Sequence, residues 1–181
     1  MTPPFIDRLY ETLDERRQEL GLTWQGLVRE INAPFQHVPS RPIATSTVTG
    51  MRTRRAVEGD VVLQVLRWLG RSPESLLPDH NGVKAALTAL PMIPPTQVLR
   101  FDTRRLHAAL DAHRLALGLT WVELAADIEV ESPESLAHIG KESPNSLRHL
   151  AHGGRTGFPH VLRWTRRLGR PVASFTRGCH R

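Results

Sequence analysis

Apolar residues Phe5, Ile6, Leu9, Leu13 and Leu20 fall mostly at three- and four-residue steps, with polar side chains between them. That spacing predicts an amphipathic helix, and Gly21 supplies its stop. Thr23 then reads as the N-cap of a short helix over 24–31, with Trp24, Leu27, Val28 and Ile31 turned inward. Residues 32–43 hold Pro34, Pro39 and Pro42 and read as a loop. A third helix fits 45 to about 52 with Val48 and Met51 inward. A fourth runs from about 59 to 69 over Val62, Leu63, Val65, Leu66 and Leu69, and stops at Gly70. Ser72-Pro73-Glu74 is a cap, a first-turn proline and a first-turn acid, opening a short fifth helix through Leu77.

The same scheme then returns. Residues 13–24 read LDERRQELGLTW and residues 110–121 read LDAHRLALGLTW, identical at eight of twelve positions. Leu27 and Ile31 recur 97 positions later as Leu124 and Ile128. Further on the shift becomes 99: Val62, Leu63, Arg67, Leu69, Gly70, Arg71 and Ser75 recur as Val161, Leu162, Arg166, Leu168, Gly169, Arg170 and Ser174. Two residues are therefore gained in the second copy after Ile128. A period of this length marks a duplicated unit. Helices are expected over 103–117, 121–129, 144–151, 159–168 and 171–176, with a short extra one near 133–139 behind Ser132-Pro133-Glu134. No segment alternates with the two-residue period of a strand, so the expectation is an all-α protein. Trp24 and Trp121 are expected as equivalent, largely buried core residues.

The repeat divides the 181 residues into a first unit at 1–77, a linker at 78–98 and a second unit at 99–181. The linker carries Ala85, Ala86, Leu87, Leu90, Met92 and Ile93, too apolar for a solvated tether, and predicts a short packed helix near 83–90. Composition adds one asymmetry. Of the 24 basic residues only Lys84 and Lys141 are lysine, and the net charge is +6. Residues 1–77 carry 10 basic and 9 acidic groups, residues 99–181 carry 13 and 8, so the excess lies in the second copy. Arginine suits bidentate contact with phosphates and guanine edges, although a solvated charged face has the same composition. The lone Cys179, in a tail expected to fray, has no partner for an internal disulfide, which suits a reducing cytoplasm. No leader and no membrane-length apolar run is seen, so no membrane partner is expected.

Short helices in this order, the second and third joined as a helix-turn-helix, resemble the lambda-repressor-like (Xre-type) DNA-binding family. The resemblance is carried by LGLTWQGLVREI, ATSTVTGMRTRRAV and VLQVLRWLGRSPESLL in the first copy. In the second it is carried by LGLTWVELAADI, SPNSLRHLAHGGR and VLRWTRRLGRP. It implies two tandem five-helix domains that bind double-stranded DNA in a bacterial transcriptional regulator. Two features depart from the family's pattern. About a dozen residues separate the second and third helices in the first copy, and more in the second, where a few are usual. Trp24 and Trp121 also stand where many members carry a phosphate-binding glutamine.

The family's third helix meets base edges in the major groove. With Val48 and Met51 inward, Thr45, Ser46, Thr49 and Arg52 are left outward, and Arg54 and Arg55 follow in the loop. In the second copy Leu147 and Leu150 turn inward, leaving Asn145, Arg148, His149 and His152 outward, with Arg155 beyond. Asn145 suits an adenine edge and Arg148 a guanine edge. The bland alternative is an exposed polar helix without a partner. Catalysis is not expected: no Gly-rich phosphate loop is present, and Cys179 has no evident activating base. His149 and His152 are spaced as metal ligands are, but no acid or thiol cluster accompanies them, and no cofactor is expected. The competing reading is a degenerate helix-turn-helix kept as a protein-interaction module, antitoxin-like or an accessory regulator. A homodimer is also possible and would offer up to four recognition helices.

Overall fold

The structure is a computed structural model that describes residues 4–54, 57–78 and 88–180. Among these residues it is mostly helical, with eight α-helices, several 3₁₀ turns and one two-stranded sheet. The order is α1 (Phe5–Glu19), α2 (Trp24–Ile31), α3 (Thr45–Thr49) and α4 (Gly59–Leu69), then strand β1 (Val98–Phe101). There follow α5 (Thr103–Ala116), α6 (Trp121–Val130), α7 (Pro144–His149), α8 (Phe158–Arg167) and strand β2 (Thr176–Cys179). No helix among the described residues is long and apolar enough to cross a membrane.

α2 and α4 lie where the periodicity predicted them, the first opened by a capping side chain and the second ended by left-handed Gly70. The Thr23 hydroxyl accepts from Gly26 N–H at 3.0 Å and opens α2. Gly21 and its equivalent Gly118 take φ of +64° and +67°, the left-handed conformation that ends α1 and α5 at low steric cost. The predicted third helix is shorter than expected: α3 gives way at Gly50 to a 3₁₀ turn, Met51–Thr53, and α7 likewise to Leu150–His152. The fifth helix of each copy is a 3₁₀ turn, Pro73–Leu76 and Val172–Phe175, and the extra helix near 133–139 is the 3₁₀ turn Glu134–Ile139. Residues 83–87 of the helix expected near 83–90 lie outside the described residues.

The mostly helical architecture fits the all-α expectation, with one addition that the sequence did not show, the small ribbon of β1 and β2. They pair antiparallel, Val98 opposite Cys179 and Phe101 opposite Thr176. Four-residue strands are too short to display alternation, and their partners lie about eighty positions apart in sequence. Cys179 is therefore half-buried in a strand, not in a frayed tail. The ribbon is anchored on α4. Gln64 donates from its side chain to Leu99 O, Arg67 donates to Gln97 O at 2.7 Å, and Asp60 accepts from Phe101 N–H at 3.1 Å. Desolvation pushes the Arg67 guanidinium below its ordinary pKa.

The two copies meet through equivalent residues. At the 99-residue shift Val57, Glu58 and Gly59 correspond to Thr156, Gly157 and Phe158. Gly59 N–H donates to Thr156 O at 2.7 Å, and Phe158 N–H donates to Val57 O at 3.0 Å. Glu58 and Gly157 thus form an antiparallel bridge with themselves as counterparts. Reciprocal bonds between equivalent atoms are what a local two-fold relation produces. Side chains around this bridge are unlike. Phe158 is fully buried and stacks on Phe5, ring centres 5.3 Å apart, with Phe101 at 5.7 Å. Its counterpart is Gly59, where a Cβ would lie 2.7 Å from the Phe101 ring. One hydrophobic cluster consequently runs through both copies.

Candidate nucleic-acid interface

The repeated LDxxRxxLGLTW stretch builds a clamp behind the start of α2 and α6. Arg17 donates to Asp14 at 2.8 Å and to Leu22 O at 2.8 Å, and its guanidinium lies 4.7 Å over the Trp24 ring. Arg114 does the same with Asp111 at 3.1 Å, Leu119 O at 2.9 Å and Trp121 at 5.0 Å. Tyr10 and its equivalent His107 stack on the two tryptophans at 5.4 and 5.2 Å. The tryptophans are thus half-buried, which corrects the expectation of core residues. Identity of these stretches reflects one local clamp used twice. Replacing Arg17 or Arg114 with Ala is expected to cost ~1–2 kcal/mol by removing the cation–π interaction and the hydrogen bonds. Trp24→Ala should cost roughly 2–3 kcal/mol, less than the ~3–5 of a fully buried aromatic. Urea denaturation of the single variants reads both.

At the N-terminus of α6 the clamp is joined by a capping box. The Thr120 hydroxyl accepts from Glu123 N–H at 3.2 Å, and the Glu123 carboxylate accepts from Thr120 N–H at 2.7 Å. The Thr120 backbone bond, then its hydroxyl, hold the Glu123 carboxyl below its ordinary pKa.

The long turns between the paired helices are tied down. In the first copy the Asn32 side chain donates to Ile43 O at 2.8 Å and accepts from Ile43 N–H at 2.9 Å. This two-way bond closes the 11-residue span, with Phe35 buried beneath it. In the second copy Arg163, only 3% exposed, projects from α8 into the turn. Its guanidinium donates to Ser132 Oγ, Gly140 O and Leu136 O at 2.7, 2.7 and 2.8 Å. Desolvation lowers the Arg163 pKa, with the charges of Glu142 and Glu129 opposing. Glu142 is itself buried and accepts from Ser143 N–H at 3.3 Å, its other oxygen lying 3.1 Å from His160 Nδ1. The helix that follows each long turn is thereby held in one place.

On α3 and the 3₁₀ turn after it the inward pair is as predicted: Val48 and Met51 are fully buried. Ser46, Arg52 and Arg54 are exposed. Thr45 and Thr49 are only half-exposed, and the Thr49 hydroxyl donates back to Thr45 O at 3.1 Å, which engages its proton. Arg55 lies outside the described residues. On α7 and the 3₁₀ turn after it Leu147 and Leu150 are buried as predicted, and Asn145, Arg148, His149 and His152 are exposed. Arg148 donates to Asn145 at 3.4 Å, so the two groups suited to base edges sit together. The His149 and His152 rings lie 6.4 Å apart. Arg155 is largely exposed and reaches Glu58 of the first copy at 3.4 Å.

Several residues went unnoticed in the sequence. Asn32 has no local signature. Arg163 does have one: it interrupts an apolar run, as its equivalent Gln64 does, and both are buried where foreign backbone crosses the helix. A cleft of about 290 Å³ joins Ser146 and His149 on α7 to Arg155, Thr156 and Gly157 at the bridge. A second, of about 240 Å³, brings Arg100 and Arg177 of the ribbon beside Gly153, Gly154 and Arg155. The outward face of α7 therefore continues into the junction between copies and into the arginines of the ribbon.

No protein-family model, no curated protein and no solved structure matches the chain.

Proposed function

We propose that the chain binds double-stranded DNA with sequence preference, through two lambda-repressor-like helix-turn-helix units, and acts as a cytoplasmic transcriptional regulator. The observation that carries this reading is a short helix, seated on a buried apolar underside and exposing polar and basic groups, which occurs twice at equivalent places in the fold. On α3 and the 3₁₀ turn after it that underside is Val48 and Met51, and on α7 and its own 3₁₀ turn Leu147 and Leu150. Tying of the preceding turns supports it, since base reading needs a fixed helix. Exposed Arg52, Arg54 and Arg148 give the face a positive charge suited to phosphates.

One observation favours an interaction module without base reading. Thr49 is bonded back to its own helix and Arg155 is paired with Glu58, which takes two candidate contacts out of the first rank. Fluorescence anisotropy with a labelled mixed-sequence duplex at two salt concentrations separates the readings. The DNA reading expects affinity to fall steeply with salt. Arg52→Ala with Arg54→Ala should flatten the log–log slope by about two, ~0.9 for each phosphate no longer neutralised. Binding that is absent at low salt, or unchanged in this folded double variant, favours the interaction module.

A further inference from the structure

Equivalent recognition faces on the two copies carry different chemistry. At the 99-residue shift Ser46 corresponds to Asn145, Thr49 to Arg148, Gly50 to His149, Arg52 to Ala151, Thr53 to His152 and Arg54 to Gly153. The buried undersides match in kind, Val48 with Leu147 and Met51 with Leu150. Duplication has thus kept the seat of the helix and replaced nearly every outward group. The first face offers short hydroxyls and two arginines at its C-terminal end. The second offers an amide and a guanidinium at its N-terminal end, the side chains that pair bidentately with adenine and guanine.

The bridge restricts how far apart these faces stand. Thr53, the last residue of the 3₁₀ turn after α3, precedes Val57 of the bridge by four positions, and His152 precedes Thr156 by four. Four residues span at most ~14 Å. The centre of each nine-residue recognition segment lies a further ~6 Å away at most. Crossing the bridge adds up to ~10 Å, so the two centres are no more than ~50 Å apart, which admits half-sites one helical turn apart at ~34 Å and excludes a separation of two turns. The surface that joins the copies is also occupied: Val57 to Gly59 and Thr156 to Phe158 satisfy each other within one chain. Neither copy presents that patch to a second molecule.

Resting on the DNA-binding reading above, we propose that a single chain reads an asymmetric duplex site, two unlike half-sites one turn apart, without forming a homodimer. The preferred ligand is then a non-palindromic sequence. The half-site under α7 is specified by base-edge bonds from Asn145 and Arg148. The half-site under α3 is held chiefly through phosphates gripped by Arg52 and Arg54.

The test is selection of bound sequences by the full chain from a random duplex pool, followed by light scattering of the complex with the enriched duplex. The expected result is one strongly specified half and, about ten base pairs away, a weakly specified one, bound by one chain. Duplexes in which the strongly specified half is replaced by a copy of the other half should bind on the order of tenfold or more weakly. Arg148→Ala, an exposed change whose unchanged melting is checked alongside, should relax preference in one half only. An enriched palindrome bound by two chains overturns the asymmetric site while leaving DNA reading intact. Salt-steep binding with no enrichment of any sequence, or no binding at all, overturns base reading and this inference with it.

Discussion

Replacing Phe158 with Ala is expected to lower the stability of the whole chain by ~3–5 kcal/mol, the range for deleting a fully buried aromatic. Phe158 has no exposed surface, and its ring lies between Phe5 of the first copy and Phe101 at the end of β1. Its backbone N–H simultaneously donates to Val57 O across the bridge. The cavity would therefore open where both copies pack on the same side chain. For a chain of this size, each kcal/mol moves the melting temperature by ~2–4 °C, so a fall of roughly 10 °C is expected. Since total stability is commonly ~5–15 kcal/mol, the loss is a large share of it. Both copies should unfold in one transition that shifts as a unit, read by circular dichroism together with tryptophan fluorescence. A biphasic curve with one limb unmoved would show that the copies are energetically separate, contrary to their shared core.

The second large effect is expected at Arg163. Changing it to Met keeps much of the side-chain volume but removes every donor from Ser132 Oγ, Gly140 O and Leu136 O. It also removes the positive charge near buried Glu142. Unmatched buried acceptors cost ~1–3 kcal/mol each, and buried Glu142 is left with His160 as its side-chain partner. Because water can enter the loosened turn, a total of ~3–4 kcal/mol is expected rather than the full sum. Arg163→Lys should recover only part, since an ammonium cannot reproduce the planar fork that reaches three acceptors. Hydrogen exchange is the sharper readout. Amides of residues 131–143 should lose protection in both variants while those of α1 and α4 keep theirs. Uniform loss across the chain would place Arg163 in the global core instead of the turn.

These two sites differ in how visible they are beforehand. Arg163 breaks an apolar run, and Gln64 breaks the equivalent one, so the sequence marks both as unusual without naming what they hold. One holds the turn between α6 and α7, the other the strand β1. Phe158 carries no mark at all, because its stacking partners lie at Phe5 and Phe101. Among the candidate contacts, the burial of Val48, Met51, Leu147 and Leu150 followed from helical spacing, as did the exposure of Ser46, Arg52, Asn145 and Arg148. The engagement of the Thr49 hydroxyl did not follow, because a hydroxyl bonded to the carbonyl four residues back leaves no trace in the periodicity.

The duplication, the bounds of α2 and α4 and their inward faces were written in the order of residues along the chain. Helix periodicity, threonine caps and left-handed glycine stops act over four to seven positions, so a local reading suffices for them. The reciprocal bridge between Glu58 and Gly157, the ribbon of β1 with β2 and the half-burial of Trp24 and Trp121 were settled only in three dimensions. Apart from the tryptophan clamps, these contacts join residues about eighty to a hundred positions apart, whose backbone groups are chemically alike throughout the chain. Which of them pair is decided by the packing of α4 against α8 and by the room that Gly59 leaves for Phe101, and neither is encoded in any short stretch.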